Sequence, residues 1–123
     1  MHGVMNTDNM SIHGLTIDYG PYGWLEGYDP GWTPNTTDAG TKRYRFGNQG
    51  RIGEWNFARL LESIGPLMSD PERLYEALDY YRESYQAHDR NVWASKLGLG
   101  ELRPEDDELC LLYTSDAADD TPC

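Results

Sequence analysis

The chain has 123 residues, with 21 Asp and Glu against 10 Lys and Arg and a formal net charge of −11. That balance argues against a nucleic-acid groove, which needs clustered Lys and Arg, and no apolar run approaches the roughly 18–20 residues of a membrane span. The cysteines stand only at 110 and 123, so the rest of the chain has neither a disulfide framework nor a Cys-based metal site. Acidity does not exclude ATP, because the metal of a nucleotide triphosphate carries the local positive charge.

The first motif is His2-Gly3-Val4-Met5-Asn6-Thr7-Asp8-Asn9-Met10-Ser11. Its Asn-terminated His-Gly loop is similar to kinase-type catalytic loops, which place a metal-binding Asn five residues after the catalytic Asp. Asn9 does sit five after Val4, but Val4 is apolar and a different acid, Asp8, directly precedes the Asn. The pattern is that of a kinase-like site with its general base moved. Met10-Ser11-Ile12 and Leu15-Thr16-Ile17-Asp18-Tyr19 alternate apolar and polar residues around His13-Gly14. That predicts a two-residue β-hairpin bringing Asn9 and Asp18 to the same end. An amide oxygen and a carboxylate are hard ligands suited to Mg²⁺, which takes one or two such groups and completes its octahedron with phosphate and water.

Residues 20–53 are rich in Gly, Pro and aromatics without a sustained period, which predicts an ordered loop packed by Tyr22, Trp24, Tyr28, Trp32 and Tyr44. Phe57, Leu60, Leu61 and Ile64 then form one helical stripe stopped by Gly65-Pro66. Ser69-Asp70-Pro71-Glu72 supplies a capping box. A stripe through Leu74, Leu78, Tyr81, Tyr85 and Val92 continues toward Lys96, ended by Gly98 and Gly100. Residues 103–109 read as the start of another helix. The run from Cys110 to Asp119 resembles a translated transposase sequencing adapter, so 110–123 are set aside as a non-native tail. The first 109 residues then carry 18 acids and 10 bases, a net charge of −8.

Together with Tyr28-Asp29-Pro30, the stretch Arg43-Tyr44-Arg45-Phe46-Gly47-Asn48-Gln49 and Trp55-Asn56, the first two motifs resemble the selenoprotein O family. These are protein adenylyltransferases with a pseudokinase fold, several times longer than this chain. The resemblance runs from His2 to about Leu109 and implies an α+β, partial protein-kinase-like C-lobe: β-hairpin, long ordered loop, then helices. Residues 1–109 would be a fragment of that domain, inactive on its own, with Met1 inside a loop that follows a helix. The family's ATP-binding Lys and phosphate-binding arginines would precede it.

The resemblance also implies the reaction. ATP, bound in the reverse of the usual kinase orientation, gives AMP to a protein Ser, Thr or Tyr hydroxyl and releases pyrophosphate. Asp8 would accept the hydroxyl proton; Asn9 and Asp18 would hold Mg²⁺ or Mn²⁺, Asp18 thereby binding ATP. Partners would be ATP and protein substrates, with no nucleic acid and no membrane, in the cytoplasm of a bacterium or, for a eukaryotic protein, the mitochondrion. Two other readings stay open: a kinase-like phosphotransferase that moves the γ-phosphate to a small molecule or protein, and a non-catalytic nucleotide-binding pseudokinase module. Asp8 also has a plain reading as a turn former, which the surrounding motif and Asp18 outweigh. His2 reads as a structural buttress, His13 as a turn residue and His88 as a helix-surface residue. Arg43, Arg45 and Arg51 are expected in structural salt bridges rather than on phosphate.

Overall fold

The computed structural model describes residues 1–15 and 20–106. The chain divides into two compact units, one of Met1–Trp24 with Asp29–Arg82 and one of Leu25–Tyr28 with the residues from Glu83 onward. Two helices dominate, α1 over Gln49–Ile64 and α2 over Glu72–Leu97. Among the described residues no β-strand forms, and an isolated antiparallel bridge joins His2 to Tyr22. The second strand of the expected hairpin lies outside the described residues. A turn does lie in this segment, one residue before the expected His13-Gly14 pair: the Gly14 N–H donates to the Ser11 carbonyl at 3.0 Å, placing Ile12 and His13 at its corner.

In the first unit, α1 ends where Gly65-Pro66 predicts, with Gly65 as its C-cap and a 3₁₀ turn over Gly65–Leu67. Its start is a correction. The loop was expected to run to Gly53, yet a 3₁₀ turn at Phe46–Asn48 leads directly into α1 at Gln49. Glycine inside a helix costs about 1 kcal/mol relative to Ala, and Gly50 and Gly53 therefore hide the helical pattern. Packing explains them. The Tyr81 hydroxyl donates to the Gly50 carbonyl at 3.4 Å, and a Cβ on Gly53 would collide with that hydroxyl. The Tyr81 ring also stacks on Phe57 at 5.5 Å, so it has little room to yield. Gly53→Ala is therefore expected to destabilise the chain by about 1–2 kcal/mol, overpacking outweighing the better helix propensity. Tyr81→Phe in the same chain should recover most of it. Urea midpoints measure both, and an equal Gly53→Ala loss in the Phe background would rule out the collision.

Ile52 and Leu61 are the buried apolar residues of α1. Arg82 joins Glu54 and Asp79, each at 2.8 Å, but all three side chains are substantially exposed, and such pairs contribute little. At the start of α2 the cap is Asp70 rather than Ser69: its Oδ1 accepts from the Glu72 N–H at 3.1 Å. Not all the loop aromatics pack as expected. Tyr22 and Trp24 meet edge-on at 5.3 Å but stay largely exposed.

In the second unit, Tyr28 meets Trp93 edge-on at 6.1 Å, and Ala94 and Leu102 are buried. Helix α2 closes with a Schellman motif: Gly98 N–H to Ser95 and Leu99 N–H to Ala94 at 2.9 Å, the arrangement that satisfies terminal carbonyls. Arg90 holds the Leu102 carbonyl at 2.6 Å. The 3₁₀ turn Pro104–Asp106 follows, with Asp106 accepting from the Arg103 N–H at 2.8 Å. The predicted tail lies outside the described residues.

Candidate functional site

The first motif folds as a loop closed by one 3₁₀ turn, Thr7–Asn9. Asn6 caps that turn, its Oδ1 accepting from the Asn9 N–H at 3.2 Å. An Asx side chain of this kind supplies the acceptor that a short turn cannot make from its own backbone. His2 props the loop from below: its Nδ1 accepts from the Val4 N–H at 3.1 Å.

Two sequence-predicted residues can be placed on this frame. Asp8 is exposed within the turn, and no described residue bonds its carboxylate. Because Asn6 carries the cap, Asp8 is not needed to hold the turn it sits in. Asn9 is half-buried, and its Nδ2 donates to the Val4 carbonyl at 2.8 Å. That bond fixes which way the amide faces, since Oδ1 against a carbonyl would set acceptor against acceptor. Oδ1 is left without a hydrogen bond among the described residues. A free, oriented amide oxygen suits a hard cation. The third residue, Asp18, lies outside the described residues, so its distance to Asn9 is not part of the site's geometry. Among the described residues no three His, Cys, Asp or Glu side chains form a cluster; a Mg²⁺ site with one or two protein ligands needs none.

Behind the turn is a cleft of about 450 Å³ lined by Thr7, Met10 and Ile12 on the motif and by Phe57, Leu60 and Tyr81 on the helices. Asn56 of α1 also lines it. This side chain is 5% exposed, and its Nδ2 donates to the Met5 carbonyl at 2.8 Å.

The arginines depart from expectation. Arg43 makes no ion pair among the described residues; its guanidinium lies over the Trp55 ring at 4.8 Å and the Tyr44 ring at 5.7 Å. Arg59 also lies over Trp55, at 5.3 Å. Arg45 donates to the Lys42 carbonyl.

Asp38, which carries no motif, is the most heavily bonded acid described. It accepts from the Thr41 hydroxyl at 2.5 Å, the Arg43 N–H at 2.9 Å and the Tyr44 N–H at 2.8 Å. Burial disfavours its charge, but these bonds and the nearby Arg43 charge outweigh that and hold the carboxyl below its ordinary value. Its only sequence signal is the Asn35-Thr36-Thr37-Asp38 run, which reads as a turn.

The model of the family described as protein adenylyltransferase SelO matches residues 1–120. A protein nucleotidyltransferase YdiU of Xanthomonas oryzae pv. oryzae (strain PXO99A) is 59% identical over 109 residues, 89% of this chain and 21% of that protein. The same figures hold for the protein of that name from Xanthomonas axonopodis pv. citri (strain 306). The one from Xanthomonas campestris pv. campestris (strain B100) is 58% identical over 106 residues, 86% of this chain and 20% of its own length. The chain thus spans about a fifth of the length of the curated relatives it matches.

Proposed function

The chain belongs to the SelO family of protein adenylyltransferases, and from that premise we propose that it supplies the acid–amide pair of an AMP-transfer site in a longer, cytoplasmic protein. The observation that carries this reading is the Asn6-capped turn, which presents at Asp8 a carboxylate that no described residue bonds, beside Asn9, whose Nδ2 is held by the Val4 carbonyl and whose Oδ1 has no hydrogen bond among the described residues. The fold that would carry it is a kinase-like C-lobe, with its hairpin ahead of the long loop and helices.

In the proposed reaction a protein Ser, Thr or Tyr oxygen bonds to the α-phosphorus of ATP. The bond from that phosphorus to the bridging oxygen breaks, and pyrophosphate leaves with the electron pair. The hydroxyl proton passes to Asp8, whose exposed carboxylate is bonded by no described residue. Asn9 Oδ1 and Asp18 are the groups that would hold Mg²⁺ or Mn²⁺, which when bound offsets the triphosphate charge. Transfers of this type depend chiefly on positioning and charge neutralisation, and a loop with its carbonyls and amides tied down meets the first need.

The product decides the reading. With the chain in its full-length context, Mg-ATP and an acceptor protein, mass spectrometry should find AMP on a hydroxyl, with pyrophosphate released in equal amount. Phosphate on the acceptor with ADP released would replace this reading with the kinase-like one. Nucleotide bound with neither product formed would leave a binding module.

A further inference from the structure

Four consecutive carbonyls of the motif loop are each met by a side-chain amide. Gln49 Nε2 approaches the His2 oxygen at 3.5 Å, Asn35 Nδ2 the Gly3 oxygen at 3.2 Å, Asn9 Nδ2 the Val4 oxygen at 2.8 Å and Asn56 Nδ2 the Met5 oxygen at 2.8 Å. The first is long and contributes least; Gln49 is better bonded to the Tyr44 carbonyl, at 2.8 Å. Asn35 and Asn56 are the strong outside members, both buried, and they reach the loop across 32 and 51 residues of sequence. An amide is the side chain suited to this task. It donates to a buried carbonyl without bringing a charge into the interior.

We propose that Asn56 is a positioning residue for the metal-binding amide of Asn9, acting through the peptide planes of Val4 and Met5. This rests on the function proposed above. The direction of Asn9 Oδ1 follows from where its Nδ2 is held, which is the Val4 carbonyl. The peptide planes on either side of that carbonyl are pinned by Asn35 at Gly3 and by Asn56 at Met5. Without Asn56 the Met5 plane is free to turn, the Val4 carbonyl turns with it, and Asn9 loses its bearing. A second observation separates this role from packing. Asn56 Oδ1 is buried with no hydrogen-bond partner among the described residues, a costly state for an acceptor. A leucine would fill the same space without that cost; it could not supply the donor to Met5.

The test is a double-mutant cycle in the full-length context with Mn²⁺ as probe. Binding is followed by electron paramagnetic resonance in the presence of the α,β-methylene analogue of ATP, so no turnover is involved. Asn9→Ala should weaken Mn²⁺ binding. Asn56→Leu should weaken it by roughly 10–100-fold, the usual effect of removing a group that orients a metal ligand. In the Asn9→Ala background, Asn56→Leu should add less than about two-fold, because the residue acts through Asn9. An unchanged Mn²⁺ affinity for Asn56→Leu, or full additivity with Asn9→Ala, overturns the positioning role and leaves the proposed function standing. An Asn9→Ala protein that binds Mn²⁺ normally takes down both. Should Asn56→Leu fail to fold by circular dichroism, Asn56→Gln, with the amide on a longer arm, is read in the same cycle: coupling to Asn9 supports the proposal and additivity overturns it.

Discussion

Replacing Asp8 by alanine in the full-length context is expected to lower kcat by about 10²–10⁴-fold, the usual worth of general-base assistance. Affinity for Mg-ATP should stay near that of the unaltered protein. The fold permits so clean a result because the turn around Asp8 is capped by Asn6, and no described residue depends on the Asp8 carboxylate. Asp18→Ala should behave differently, weakening Mg-ATP binding together with turnover, since its proposed work is done before chemistry. Val4→Asp should not rescue Asp8→Ala. Val4 is bonded at both backbone groups, its N–H to His2 and its carbonyl to Asn9, and by spacing from Asn9 it would stand where kinase-type loops carry their catalytic Asp. Steady-state rates and calorimetric ATP affinities for the three variants check this. Near-normal AMP transfer by Asp8→Ala, or recovery by Val4→Asp, would place the base elsewhere.

That Asp8 and Asn9 share one turn follows from a local signal: they are adjacent in sequence and closely follow Asn6, which caps the turn. Helix ends were legible for the same reason. Gly65-Pro66 and Gly98 act on the backbone within one turn, and each stops its helix close to the expected position. The start of α1 was not, because Gly50 and Gly53 have the composition of a loop, and the hydroxyl that explains them comes from Tyr81 on another helix. Asn56 follows Trp55 in the sequence with no local pattern that marks a role for it. Its bond to Met5 joins residues 51 apart, and no periodicity or spacing rule reaches that far. Arg43 shows the limit of reading residue type alone. Its expected partners were acids, whereas the fold puts it over the face of Trp55, where a weakly hydrated, planar cation is favoured.

Asp38 carries the largest expected effect on stability. Its two oxygens organise residues 41–44, and its own carbonyl accepts from the Lys42 N–H at 2.6 Å. Lys42 sits at φ 49°, a left-handed conformation that a residue with a Cβ adopts only when its surroundings impose it. Asn in place of Asp38 keeps one acceptor oxygen and sets an NH₂ group against a backbone N–H. The loss is then at least one bond to a charged group, worth about 1.5–3 kcal/mol, in urea unfolding of the 123-residue chain at pH 7. The sign of the pH dependence follows from the lowered carboxyl value. Folding favours the charged form, so the stabilisation is complete above the ordinary Asp value of about 3.9 and is lost as pH falls through the lower folded value. The gap between the unaltered chain and Asp38→Asn should therefore hold from neutral pH down to about pH 4 and narrow below it. A gap that stays constant into acid would mean that the fold uses the shape of this side chain and not its charge. The same loop delivers the Tyr44 carbonyl to Gln49, so loosening it removes support from the helix start that stands beside the motif loop.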